Sequence, residues 1–354
     1  KDELTAKREL YVGITRAKRF CTLSYAKTSY SGASQYLAKI VSSLPEGNFQ
    51  NKKASETEEE IRGGNEMAYV ESKPIKQKED TKEEIIKLVK EHYKDRPVSV
   101  THLNNFFSCP WKWYFRNFLM LPEPVTESLE FGDLMHKSIE AILKGYKDSD
   151  VDLMDEGLSK LRIYDESKRK RFIKDGEKVL NRFKESYLEL FLGASSETKP
   201  SLYRDPEIPE VEVTGKIDVI QERSDGTLSV TDFKTGKVKT KREIEKIKDD
   251  GRMSDLMRQL SMYSYLLLND KRGVYSSHKV SNSQLLFLEA EVGDKDALYK
   301  TEIKKEEIEL LRKDIKDYAK LVSSGEWVDC PCDFKPFGTT KRHCEYCKFA
   351  ENLK

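Results

Sequence analysis

Two hydrophobic periods alternate along the chain from residue 81 onward. In TKEEIIKLVKEHY, Ile85, Leu88 and Val89 fall on one helical face, and Thr81 with Glu84 forms a capping box. THLNNFFSCPWKWYFRNF reads as a second helix capped by Thr101, and a third covers roughly 131–145 around GDLMHKSIEAIL. A long helical region follows from about 152 to 193. The period then falls to two in PEVEVTGKIDVI, LSVTDFKT and SQLLFLEAE, which predicts strands. A helix at RMSDLMRQLSMYSYLLL separates the last two, and KKEEIELLRKDIKDYAKLVSSG is a final helix closed by Gly325. Helices before, between and after a few strands predict an α/β domain, a mixed central sheet flanked by helices. The aromatic run WKWYF is expected to pack in the core rather than to stack on bases.

The pattern is weaker before residue 81. Residues 1–45 read as a short helix, the strand FCTLSYA and the helix SQYLAKIV, too little chain to bury a core alone. Residues 46–80 are polar and rich in Glu and Lys, which predicts a partly disordered linker before a domain over 81–354. The chain opens in mid-pattern without Met and reads as a piece of a longer polypeptide.

Composition narrows the class only a little. The 354 residues are 37% hydrophobic, enough for a packed core, and 63 basic against 62 acidic side chains leave a net charge of +1. A basic groove for nucleic acid can hide in such a balance. No apolar run reaches a membrane-spanning length, no secretory pattern is present, and six cysteines in such a chain point to a reducing cytoplasm.

The chemistry concentrates in VTGKIDVIQERSDGTLSVTDFKTGK. Asp225-Gly226 marks a hairpin, and a loop centred on Asp225 places Asp218 opposite Asp232 on adjacent strands. Two facing carboxylates repel unless a proton or a cation lies between them, and Mg²⁺ or Mn²⁺ suits an all-oxygen pair. Lys234 shares the face of Asp232, where it can orient a water and stabilise charge developing on a phosphorus centre. These residues point to phosphodiester hydrolysis.

G-x-I-D followed by D-x-K-T-G resembles the PD-(D/E)xK nuclease superfamily, within it the RecB/AddB-like branch. GDLMHKSIE resembles that branch's G-x-x-x-H helix and RQLSMYSYLL its Q-x-x-x-Y helix. The resemblance implies a restriction-endonuclease-like core. His136, Asp218, Asp232 and the Phe233 carbonyl would hold the metal, Lys234 would serve the water and the developing charge, and Gln259 and Tyr263 would position substrate. The family often carries a glutamate before the first strand, for which Glu207, Glu210 and Glu212 are candidates. The implied substrate is DNA, single-stranded or at duplex ends, with exonuclease action expected. The rival reading is a nuclease-inactive module that guides a strand.

Cys109 lies far from Cys330, Cys332 and the C-x-x-C pair Cys344 and Cys347. That bracketing resembles the cysteine-held [4Fe–4S] cluster of AddB-type nucleases, with zinc as the alternative. The family's further cysteine after the C-x-x-C is missing, so Cys332 is taken as the fourth ligand beside Cys109, Cys344 and Cys347. Cys21 is expected to be a buried core thiol.

RELYVGITRAKR resembles motif VI of UvrD/RecB-type superfamily 1 helicases, with Tyr11, Gly13 and, as the arginine reaching the ATP γ-phosphate, Arg16. No phosphate-cradling G-x-x-x-x-G-K-[ST] is present, so ATP would be used only with the rest of a motor. The combined resemblance implies a helicase–nuclease of DNA end processing and recombinational repair, with a partner subunit.

Overall fold

A computed structural model of the chain describes residues 81–122, 126–146, 149–271, 273–276, 278–291, 293–330, 332 and 344–351. The expectations for 1–45 and 46–80, with Tyr11, Gly13, Arg16 and Cys21, lie outside the described residues.

Helix α1 spans Thr81–His92 and α2 spans Val100–Ser108. The single helix expected over THLNNFFSCPWKWYFRNF is broken. Pro110 excludes a helical conformation at the residue before it, and Cys109 is extended at φ −163°. Pro110 then opens the short α3, Pro110–Trp113, which runs into a π turn at Tyr114–Phe118. The cap of α2 is Ser99 rather than Thr101, because the Ser99 side chain accepts the His102 N–H while His102 returns the bond to the Ser99 N–H. Helix α4 covers Glu127–Leu143. The long helical region resolves into α5, Asp150–Lys160, and α6, Glu166–Ser186. Arg162 at φ 60° turns the chain between them, and Asp165 caps the second.

Strands β1, Ser195–Thr198, β2, Tyr203–Arg204, β3, Glu212–Val213, β4, Ile217–Glu222, and β5, Leu228–Lys234, follow. A short helix α7, Lys241–Ile244, and the longer α8, Asp255–Asn269, carry the chain to β6, Val280–Phe287. Strand β7, Leu298–Thr301, and helix α9, Lys305–Ser324, come next, and Gly325 ends α9 at φ 87°. Helix α10 is Glu345–Glu351.

Five strands form one mixed sheet in the order β1-β4-β5-β6-β7, while β2 and β3 pair by themselves. Only β5 and β6 run parallel in the large sheet, as the connection through α8 requires. Val219 lies opposite Thr231 and Ile220 opposite Val230, the register that a loop centred on Asp225 dictates. Gly226 sits at φ 75° in that loop, and the Asp225 carboxylate accepts the Thr227 N–H at 3.0 Å.

Alternation along the strands divides the core between the sheet's two faces. Val219, Phe233 and Leu286 pack with α4, α5 and α6. Ile220, Val230 and Leu228 pack with Tyr263 and Leu267 of α8 on the other. The WKWYF aromatics are core, as expected: Trp111, Trp113 and Tyr114 are buried around Trp327. Truncating such a ring costs about 3–5 kcal/mol.

Candidate active site

The site begins where β4 and β5 separate. The last backbone pair at that end is Val219 with Thr231, and one step beyond, the side chain of Asp218 takes over from the backbone. Its Oδ2 accepts the Phe233 N–H at 2.8 Å. A strand residue presents its N–H and C=O on the same edge, so the Phe233 carbonyl opens onto the same gap. The hairpin therefore delivers two carboxylates and a carbonyl to one opening.

Asp232 is 2% exposed. Its Oδ1 accepts the Tyr263 hydroxyl at 2.9 Å and the Gln259 amide at 2.6 Å. Both donors come from α8, where a spacing of four sets them on one face. Ser254 caps that helix by accepting the Met257 N–H. Gly215, in the segment before β4, lets α8 come close, since a Cβ there would stand 2.7 Å from Leu266 Cδ1. Lys234 donates to Gln259 Oε1 at 2.7 Å and lies 2.7 Å from Asp232 Oδ2. The Lys234 ammonium is thus the charged partner of the buried Oδ2.

Burial lifts the Asp232 carboxyl above the ordinary carboxylate range; the Lys234 ammonium opposes that and the Asp218 charge adds to it. Burial, then the charge on Asp232, raises the Tyr263 phenol well above its usual value, which keeps it a proton donor to Oδ1.

Helix α4 brings His136 from the other face. Its Nδ1 lies 3.3 Å from Asp218 Oδ2. Burial pulls the imidazole down, but the bond to Asp218 and that carboxylate's charge outweigh it, and the value ends above the usual one. Gly132, one turn earlier, sits under Thr235, where a Cβ would meet Oγ1 at 2.8 Å. The glycine and histidine of G-x-x-x-H thus have separate tasks: one admits the end of β5, the other reaches Asp218.

His136, Glu140, Ser196, Glu197, Asp218 and Phe233 line a common cleft. The β1–β4 register pairs Ser196 with Val219 and Thr198 with Ile217, which puts Glu197 across from Asp218. Glu197 adopts φ 55°, outside ordinary strand geometry. The expected early glutamates are not at this cleft. Glu207 pairs with Arg312, Glu212 stands opposite Arg204 in the β2–β3 pair, and the charge of Glu210 bears on Tyr93. Glu197 escaped the sequence reading because one acid in a four-residue strand makes no pattern.

A family model for the PD-(D/E)XK nuclease superfamily matches residues 97–351. The chain belongs to the PD-(D/E)XK nuclease superfamily. Two solved structures are similar to this PD-(D/E)XK chain. A candidate exonuclease from Eubacterium rectale is 12% identical, with a TM-score of 0.46 over 73% of this chain and 94% of its own. SSO0001 is 14% identical, with a TM-score of 0.31 over 68% of this chain and 85% of its own. No curated protein matches the chain.

Nucleases of the PD-(D/E)XK superfamily use divalent metals, and the donor set here fits one. Asp218, Asp232 and the Phe233 carbonyl are hard oxygen donors, and the Asp218 charge beside the buried Asp232 carboxyl is a repulsion that a cation would relieve.

A second set of ligand-type side chains lies away from this cleft. The sulfurs of Cys109, Cys332, Cys344 and Cys347 all lie within 4.8 Å of one another. The Cys109, Cys344 and Cys347 sulfurs are separated by 3.4 to 3.6 Å. The extended turn at Cys109 and the first turn of α10 aim these thiols at one point. Cys330 instead points its sulfur at the Glu326 carbonyl. Burial raises the Cys109 thiol and pushes the Cys347 thiol up to about 12, so a metal binding there must displace protons. Among the described residues, no helix is long and apolar enough to cross a membrane.

Proposed function

We propose that the chain is a Mg²⁺- or Mn²⁺-dependent deoxyribonuclease domain that trims DNA ends. The observation that carries this reading is the linked set Asp232, Lys234, Gln259 and Tyr263, joined through their side chains, with Asp218 beside it on the Phe233 N–H and His136. A scaffold protein has no use for a carboxyl buried beside a second carboxylate and raised above its ordinary range.

Asp218, Asp232, the Phe233 carbonyl and His136 would hold the metal. When bound, a divalent ion lowers the pKa of a water and polarises the phosphate oxygens. Gln259 and Tyr263 fix the Asp232 carboxylate through Oδ1 and leave Oδ2 beside Lys234. Gln259 also holds the Lys234 ammonium beside Oδ2, where it orients the attacking water and offsets charge gathering on the phosphorus oxygens.

The test is cleavage of end-labelled single-stranded DNA by anaerobically purified protein in Mg²⁺, Mn²⁺ or EDTA, beside Asp232→Ala. Metal-dependent cutting that disappears in the variant supports the reading. Metal-independent or undiminished cutting refutes it, and binding without cutting marks a strand-guiding module.

The four cysteines are read as a structural metal centre. The family resemblance supports [4Fe–4S]; the sulfur spacing supports a single tetrahedral ion such as zinc, whose ~2.3 Å bonds set sulfurs about 3.8 Å apart. Iron, acid-labile sulfide and zinc analysis decides between them. The motif at Arg16 supports attachment to a superfamily 1 motor, with ATP use and a partner subunit belonging to that longer cytoplasmic protein. ATP-dependent unwinding by the longer polypeptide, lost with Arg16→Ala, is the check.

A further inference from the structure

A polyanion approaching the mouth of this cleft meets acids. Glu140, Glu197 and Asp218 all line it. Lys234 is already committed to Asp232 and Gln259. A metal would take the scissile phosphate, and a further cation at the rim would steady the strand beside it.

We propose that Lys216 grips the DNA backbone beside the scissile phosphate and that Glu197 aims it there. The proposal rests on the nuclease reading and names a residue that reading does not use. Lys216 stands two residues before Asp218, immediately ahead of β4. Its ammonium rests on the Glu197 carboxylate. Glu197 is the more enclosed partner at 20% side-chain exposure, while Lys216 keeps 50%. Glu197 lines the cleft across from Asp218 and does so from a left-handed backbone conformation at φ 55°. An exposed lysine paired to an arbitrary surface acid would need none of this. An ammonium has three N–H donors; Glu197 takes one and leaves the others for phosphate oxygens. The pair thus turns an acid in the wall into a holder for a cation at the rim.

Binding is measured in the Asp232→Ala background, so that the result does not depend on cleavage. Cleavage by the parent, lost in Asp232→Ala, tests the nuclease reading separately. The probe is a labelled single-stranded oligodeoxynucleotide titrated over a range of salt. Lys216→Ala should weaken binding roughly 5- to 10-fold and lower the slope of log Kd against log salt by about 0.7, one phosphate contact. Lys216→Arg should stay within about twofold of the parent, since it keeps the charge. Equal binding by parent and Lys216→Ala at every salt concentration overturns the contact, as does equal loss in the Ala and Arg variants. Glu197→Gln in the otherwise native chain distinguishes aiming from simple charge. If Glu197 aims Lys216, kcat falls about tenfold although an anion has been removed. If it is only a surface charge, Glu197→Gln binds DNA more tightly with kcat unchanged, and its role is overturned.

Discussion

The hydroxyl of Tyr263 and the side-chain amide of Gln259 converge on a single oxygen of Asp232, at 2.9 and 2.6 Å. One face of α8 thereby sets the orientation of the carboxylate on β5. The two donors are not equivalent, because Gln259 also accepts from Lys234. Tyr263→Phe should lower kcat about tenfold and cost roughly 1 kcal/mol of stability, one hydrogen bond. Gln259→Ala should lower kcat about a hundredfold, since it frees both the acid and the base. Comparison of kcat at saturating metal with thermal melting checks the order.

Asp232→Ala and Lys234→Ala should reduce cleavage at least about a thousandfold and about a hundredfold, respectively. DNA binding should persist in both, because neither side chain stands at the exposed rim. Single-turnover cleavage and gel-shift binding on the same preparations separate the two effects.

His136 gives the metal-free protein a pH dependence. Its folded-state value is raised, chiefly by Asp218 acting against burial, so the folded chain holds the proton more tightly than the unfolded chain. That stabilisation is complete below about pH 6.5 and is lost as pH rises through the folded-state value. Melting in EDTA across this window should show the decline, and His136→Gln should remove it. With limiting Mn²⁺ the dependence of cleavage reverses, because the ring must give up its proton before it can ligate.

On the proposed metal centre, the cysteines divide into ligands and a bystander. Cys332→Ser and Cys347→Ser should lose the bound metal and lower the melting temperature by roughly 10 °C. Cys330→Ser, whose sulfur faces a carbonyl outside the set, should leave both metal content and melting unchanged. Elemental analysis with calorimetry reads each variant.

Gly215→Ala places a methyl against Leu266 on α8. Overpacking of this kind costs about 1–3 kcal/mol. Because Gln259 and Tyr263 ride on the same helix, kcat should fall as well, and Leu266→Ala in the same chain should restore part of both losses.

The short β1 and β7 were not read from the sequence, and PEVEVTGKIDVI divides into β3 and β4. Strands β4, β5 and β6 and the β4–β5 register were legible because a period of two and an Asp-Gly loop leave little freedom. The same holds for α8, where Gln259 and Tyr263 had to share a face. Helix lengths were less legible. The pattern over 101–118 is continuous in hydrophobicity, and only the backbone restriction before Pro110 cuts it. The break at Arg162 depends on one left-handed residue that hydrophobic periodicity does not register. Distant partners were the hardest to read. Cys332 and Cys330 look alike in sequence, and only the folded chain shows which sulfur turns toward Cys109. Glu197 meets Asp218 through strand pairing across a gap that no short motif spans.

A metal on the four cysteines would also make the domain a ring. Cys109 and Cys347 lie 238 positions apart in the chain, and His136, Asp218, Asp232, Lys234, Gln259 and Tyr263 all fall within the interval. Once a metal joins the ends, a single backbone cut anywhere in that interval releases no fragment. Both pieces remain tied at the knot, and the long loop makes their escape entropically small in gain until the metal leaves. A nicked domain can therefore keep its active site together, and its lifetime is set by the metal–sulfur bonds rather than by an unbroken chain.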